Sequence, residues 1–108
     1  MTTLLIHFFA AMFFINALPH FINGLSGRSF PSPFASPPGK GESPAHINIL
    51  WASINFAISS LLVWQDPDFF VLNAPNVVAL ILGALSTAFM LSFWFGALYR
   101  ESIAKQSD

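Results

Sequence analysis

Residues 43–65, SPAHINILWASINFAISSLLVWQ, form an uncharged segment that decides the fold class. A helix needs roughly 20 mostly apolar residues to cross a bilayer core of about 30 Å. Ser43 is a favourable N-cap and Pro44 a favourable first helical residue, so the pattern predicts a helix from Pro44 onward. The helix is expected to end at a turn near Asp66 and Pro67, because Pro67 cannot continue it.

Two further segments, residues 1–27 and 69–99, also lack Asp, Glu, Lys and Arg. Each is long enough to cross a membrane. The sequence therefore predicts an all-α integral membrane protein with three transmembrane helices and a long Gly/Pro/Ser-rich loop between the first two. The expected parts of this single membrane domain, residues 1–108, are helix 1 at about 3–22, a loop at 23–43, helix 2 at about 44–64, a turn at 65–74, helix 3 at about 75–101 and a short tail.

The composition excludes other classes of protein. The 108 residues are 55% hydrophobic and only 8% charged, whereas soluble domains carry about 25% charged residues. The high hydrophobicity also excludes intrinsic disorder, and a net charge of −1 gives no field to attract nucleic acid. The absence of cysteine excludes disulfides, thiolate zinc sites and iron–sulfur clusters.

The positions of the basic residues predict the orientation in the membrane. All four fall on one side of the three-helix arrangement: Arg28, Lys40, Arg100 and Lys105. The turn on the other side contains Asp66 and Asp68 and no basic residue. The positive-inside rule then places the N-terminus outside, and the loop at 23–43 and the C-terminus in the cytoplasm. We expect the membrane to be a bacterial inner (plasma) membrane.

The end of helix 1 and the loop that follows it are rich in Pro and Gly. Pro19 is expected to bend the last turn of helix 1, and Gly24 to supply a left-handed residue that ends it. Residues 30–38 are expected to be extended or polyproline-like, because prolines forbid a regular helix there.

Four residues of the loop are predicted to contact the membrane or a partner: Arg28, Phe30, Phe34 and Lys40. The two rings enter the interface in this interpretation, while the cations meet anionic headgroups. In the alternative, both rings fold back onto the protein's own helices.

The histidines are the titratable candidates for a site. His20 shares a helical face with Asn16, and His46 lies in the first turn of helix 2 at the same predicted depth. Two imidazoles from neighbouring helices are able to hold a haem axially or to form part of a metal site, so His20 and His46 are the candidate cofactor ligands. In the alternative, they bond to headgroups, loop carbonyls or water.

Two faces suit helix packing. Asn48, Asn55 and Ser59 form a polar stripe on helix 2, and helix 3 carries small residues at four-residue spacing: Ala79, Gly83 and Thr87. We expect these two faces to pack against each other in an antiparallel hairpin, with helix 1 closing the bundle or facing lipid or a partner. In the alternative, one face makes a homo-oligomer or contacts a larger complex.

Three functions are compatible with these features. The first is a non-catalytic accessory, assembly or interaction subunit, with no catalytic residue, no resident cofactor or metal, and partners that are the lipid bilayer, another membrane protein or a second copy. The second is a haem- or metal-binding redox protein that uses His20 and His46. The third is a small oligomeric transporter or pore, in which Asn16, Asn48 and Asn55 line a path.

Overall fold

The structure, a computed structural model, describes residues 1–107 as three long helices and a small hairpin. The elements are α1 Thr2–Leu25, β1 Phe30–Pro31, β2 Glu42–Ser43, α2 Ala45–Gln65 and α3 Ala74–Ser107. Each of the three helices is long and apolar enough to cross a membrane. The predicted all-helical fold with three such helices is thus confirmed. We call the end with residues 26–44 the loop end, and the end with residues 66–73 the turn end.

α1 ends at Leu25 in a Schellman motif, three residues beyond the predicted end. The Arg28 N–H donates to the Asn23 carbonyl at 2.9 Å, and the Gly27 N–H donates to the Gly24 carbonyl at 3.1 Å. Gly27, at φ +74°, supplies the left-handed residue of such a motif. This position was expected at Gly24, which instead stays helical.

The last part of α1 stays helical because its residues suit the neighbouring helix. A Cβ on Gly24 would lie 2.7 Å from the Ile49 side chain, so a glycine is needed where α1 approaches α2. Pro19 lies inside the helix rather than in its last turn, and its carbonyl accepts a 2.7 Å hydrogen bond from the Asn23 amide.

The starts of α2 and α3 differ in their capping. Pro44 occupies the N-cap of α2, so the helix begins one residue later than predicted. The Ser43 hydroxyl bonds at 2.6 Å to that of Ser32 instead of capping the helix. At α3, the Asn73 side chain accepts a 3.0 Å hydrogen bond from the Asn76 N–H, which is a true side-chain cap.

α3 runs six residues beyond its predicted end, to Ser107. Residues 100–107 are mostly strong helix formers, so nothing stops the helix there. Its 34 residues span about 51 Å, more than the core of a bilayer. The expected short tail is therefore helical to Ser107, and Asp108 lies outside the described residues.

α1 is the central helix. It packs against both α2 and α3, while α2 and α3 make at most marginal contact with each other within residues 1–107. The expected packing of the Asn/Ser stripe of α2 against the small face of α3 is therefore wrong. The physical reason is that the stripe needs hydrogen-bond partners, and α1 provides them: Asn16, His20 and the Ala10 carbonyl.

The small face of α3 also packs on α1. A Cβ on Gly83 would collide with the carbonyl oxygen of Phe8, so only glycine permits this approach of the two backbones. Thr87, one turn further along α3, is buried as well.

The polarity of the fold is inverted relative to a water-soluble protein. Within residues 1–107, the buried helix residues are small or polar: His7, Ala10, Ala17, His20, Asn48, Ala52, Asn55, Ser59, Asn76, Gly83 and Thr87. The bulky apolar side chains point outward instead, Leu61, Phe89 and Phe93 among them. This arrangement suits a surrounding solvent of hydrocarbon.

Candidate functional site

The first relay of hydrogen bonds joins α1 to α2 at the loop end. The Asn48 Nδ2 lies 3.0, 3.1 and 3.3 Å from the carbonyl oxygens of Phe30, Ser43 and Pro44. Because all three partners are acceptors, they fix the amide orientation and turn Oδ1 toward His20. The His20 Nδ1–H therefore donates to that oxygen, at 2.7 Å. Nε2, the other ring nitrogen, then carries the lone pair of the neutral ring.

The second relay lies one to two turns deeper. The Asn55 Nδ2 donates to the Trp51 carbonyl at 2.8 Å, which fixes the Asn55 amide in the same way. Its Oδ1 then accepts a 2.9 Å hydrogen bond from the Asn16 Nδ2. The Asn16 Oδ1 is left as an acceptor with no hydrogen-bond partner among the described residues.

The two relays end at one cavity. A space of about 250 Å³ is lined by Asn16 and His20 of α1 and by rings from the other helices, namely Trp51, Trp94 and Phe95. His20 is only 3% exposed, yet its Nε2 has no hydrogen-bond partner within residues 1–107 and is not an enclosed atom. The candidate functional site is this aromatic cavity, whose wall includes Asn16 and His20, each with one acceptor atom that has no hydrogen-bond partner among the described residues.

The loop covers the loop end of this cavity. Phe30 contacts the His20 ring edge-on at 5.4 Å and the Phe95 ring at 4.6 Å between centroids. The Trp94 Nε1–H donates to the Gly39 carbonyl at 2.9 Å, which ties the loop to α3. Of residues 30–38, only Phe30 and Pro31 form a strand, and turns and bends follow from residue 33. Phe30 of β1 pairs with Ser43 of β2 in an antiparallel ladder.

Of the four predicted contact residues, Phe30 and Phe34 pack on the helices, whereas Arg28 and Lys40 are exposed. Phe30 and Phe34 both pack on the protein's own helices, although Phe34, edge-on to Trp51 at 5.6 Å, remains 57% exposed. The Lys40 ammonium lies 6.0 Å from the centroid of the Trp94 ring. The Arg28 guanidinium donates to the Asn23 side chain at 3.0 Å.

Charged side chains of the loop and of α3 lie together at the loop end. Three basic residues and two acidic residues line a wide cleft of about 830 Å³ between the loop and the end of α3: Arg28, Lys40, Lys105, Glu42 and Glu101. The structure therefore brings basic residues of the loop and of the C-terminal segment to the same end of the molecule.

The structure does not join the two candidate cofactor histidines in one site. His20 is buried among Asn48, Phe30 and Phe95, whereas His46 is exposed on α2. Within residues 1–107, no group of three or more His, Cys, Asp or Glu side chains is placed to hold a metal ion.

A second buried histidine lies at the turn end. The His7 ring stacks on Phe69 with centroids 4.2 Å apart, and its Nε2 lies 2.8 Å from the Phe69 carbonyl. Its Nδ1 lies 2.7 Å from the Thr3 carbonyl. His7 of α1 thus contacts the turn between α2 and α3 through its ring.

The residues predicted for helix packing are mostly interior. Asn48, Asn55, Ser59, Gly83 and Thr87 are buried, and Ala79 is half-buried. Trp51, Trp94 and Phe95 were not identified as walls of a site. The available signal was the four-residue spacing of Trp51 and Asn55, which places an aromatic ring beside a polar stripe.

The fold and the site together define a class: a bundle of three apolar helices around a polar seam, with an aromatic cavity at one end. No family model, no curated protein sequence and no solved structure matches the chain.

Proposed function

We propose that the chain is a three-pass integral membrane protein that acts without catalysis, as an accessory or interaction subunit. The bulky apolar side chains on its outer surface support residence in the bilayer, because exposing them to water would be unfavourable in free energy. The inward polar groups bond to one another, as the interior of a membrane requires.

The observation that carries the interaction function is a second small-residue face on α2. Ser53, Ala57 and Ser60 lie on the side of α2 opposite to the buried stripe, and all three are exposed. Small residues at such spacing are enriched where membrane helices approach each other closely. Since the inner face of α2 is already used by α1, the outer face is free for a helix of another subunit or of a second copy.

The gathering of basic residues at the loop end supports the proposed orientation. Arg28, Lys40 and Lys105 lie in the cytoplasm in this proposal, and Asp68 lies outside a bacterial inner membrane. The redox and pore functions considered from the sequence stay predictions.

Cysteine cross-linking in native membranes tests the proposed contact. The chain has no cysteine, so Ala57→Cys introduces a unique thiol on the outer face of α2. The matched control is Leu85→Cys, at an exposed site in α3. With a short bismaleimide, we expect a discrete cross-linked product from Ala57→Cys and none from Leu85→Cys. Equal products from both, or none from Ala57→Cys, would overturn the proposal.

A further inference from the structure

We propose that the cavity beside His20 binds a small neutral aromatic molecule that donates two hydrogen bonds, of the hydroquinone class. This ligand site does not depend on the contact proposed for the outer face of α2, which lies on the opposite side of that helix from the buried stripe.

The hydrogen-bond character of the ligand follows from the two relays. Each relay starts on backbone carbonyls and ends in an open acceptor, the His20 Nε2 in one and the Asn16 Oδ1 in the other. If the Asn16 amide were flipped, its oxygen would face the Asn55 oxygen. If His20 carried its proton on Nε2 instead, its Nδ1 lone pair would face the Asn48 oxygen. A ligand that satisfies both acceptors must therefore carry two donors, such as two hydroxyl groups.

The spacing of the acceptors suits a single ring. Asn16 and His20 are four residues apart on α1, which is about 6 Å along the helix axis. Hydroxyl oxygens on opposite sides of one benzene ring are separated by about this distance. A ring lying along α1 therefore brings one hydroxyl group beside each of the two residues.

The walls and the size of the cavity select an aromatic ligand. Trp51, Trp94 and Phe95 offer rings against which an aromatic molecule stacks or packs edge-on. The volume of about 250 Å³ lies below the 300–1,000 Å³ that is typical of sites for drug-sized ligands. It suits one substituted ring rather than a macrocycle.

The charges favour a neutral ligand. The residues that line the cavity carry no carboxylate to pair with a cation, and the Lys40 ammonium next to Trp94 would repel one. The Trp94 N–H is already engaged by the Gly39 carbonyl, so it is not offered to an anion or to a quinone carbonyl. Because the His20 Nε2 is an acceptor, the site at that atom favours the hydroxyl form of such a ring over the oxidised form, which has only acceptors.

A series of three related ligands tests the proposal on the full chain in detergent micelles. Hydroquinone has two donors, 4-methoxyphenol one and 1,4-dimethoxybenzene none. Quenching of tryptophan fluorescence reports binding, because Trp51 and Trp94 line the cavity; a Trp64→Phe background removes the third tryptophan, which is 85% exposed. We expect saturable quenching by hydroquinone and about tenfold weaker binding for each hydroxyl lost.

A matched pair of variants separates the cavity from partitioning into the micelle. Leu91→Phe fills the cavity from α3 without altering either relay, and Leu85→Phe makes the same change at an exposed site. We expect Leu91→Phe to abolish saturable quenching and Leu85→Phe to leave it unchanged. If the Leu91→Phe variant loses its helical circular dichroism signal, it has not folded, and the ligand series on the parent chain then tests the proposal by itself.

Three results would overturn the proposal. They are equal quenching by all three ligands, saturable quenching that survives in a folded Leu91→Phe variant, and a Soret band or a stoichiometric metal in the purified protein. The last result would assign a metal centre to the chain in place of this ligand. None of these results bears on cross-linking at Ala57, so the two proposals fail separately.

Discussion

The Asn16 side chain donates a 2.9 Å hydrogen bond to the Asn55 side chain, and this amide pair joins α1 to α2 within their apolar spans. Each amide nitrogen donates one hydrogen bond, Asn16 to the Asn55 oxygen and Asn55 to the Trp51 carbonyl. The pair also fixes the direction of the Asn16 oxygen at the candidate site.

This pairing predicts an energetic coupling between Asn16 and Asn55. In a double-mutant cycle with Asn16→Ala and Asn55→Ala, we expect a coupling of about 1 kcal/mol in the free energy of unfolding, as is found for hydrogen bonds between membrane helices. Unfolding by SDS in mixed micelles, followed by tryptophan fluorescence, measures it. Ser53→Ala, on the exposed face of α2, is the control and should change stability by less than about 0.5 kcal/mol. Additive effects of the two Asn substitutions would contradict the pairing.

The close approach of α3 to α1 predicts opposite effects of one substitution at two glycines of α3. Gly83→Ala should destabilise the fold by about 1–3 kcal/mol, because the new methyl group meets the Phe8 carbonyl. At Gly96, the nearest atom to a new Cβ is the flexible end of Arg100, at 3.5 Å. Gly96→Ala should therefore leave stability unchanged or raise it by up to about 1 kcal/mol. The same SDS titration compares the two, and equal effects would show that the helices do not approach as described.

The contact of His7 with the turn predicts faster amide exchange there when it is lost. His7→Phe keeps a ring for stacking on Phe69 but removes the ring nitrogen that lies 2.8 Å from the Phe69 carbonyl oxygen. We expect the amide protons of Phe69 and Val71 to exchange about tenfold faster, since one hydrogen bond is worth about 1–1.5 kcal/mol. Hydrogen exchange read by mass spectrometry measures this. His46→Phe is the control, and a similar acceleration in both variants would contradict the specific role of His7.

The distribution of charge predicts which ends of the helices face each side of the membrane. In intact bacterial cells, a membrane-impermeant maleimide should label Asp68→Cys at the turn end, because that end is proposed to lie outside. Ser36→Cys at the loop end should react only after the cells are permeabilised. The reverse pattern would contradict the orientation, and labelling of both sites in intact cells would contradict the crossing of the membrane.

The sequence carried most of the information about the helices. Charge-free length located all three, and the turn residues Asp66 and Pro67 placed the break between α2 and α3. The ends were less predictable, because tertiary contacts set them. Gly24 stays helical against Ile49, so the left-handed position moves to Gly27.

The partner of each helix face was beyond sequence analysis. Periodicity identifies Asn48, Asn55 and Ser59 as one face, but it does not say which neighbour that face meets. The stripe meets α1 because α1 carries complementary polar groups, although the sequence also allowed α1 to face lipid. The cavity was equally hidden, because its rings come from α2 and α3 and its cover depends on the contact between Gly39 and Trp94, 55 residues apart.

The central position of α1 has a consequence for biosynthesis. α1 leaves the ribosome first, so each later helix meets a surface that is already in place when it enters the membrane. A chain that starts after Leu25 would keep two helices that make at most marginal contact with each other, and it would leave Asn48 and Asn55 without their partners on α1. We therefore expect α1 to act as the template on which α2 and α3 assemble.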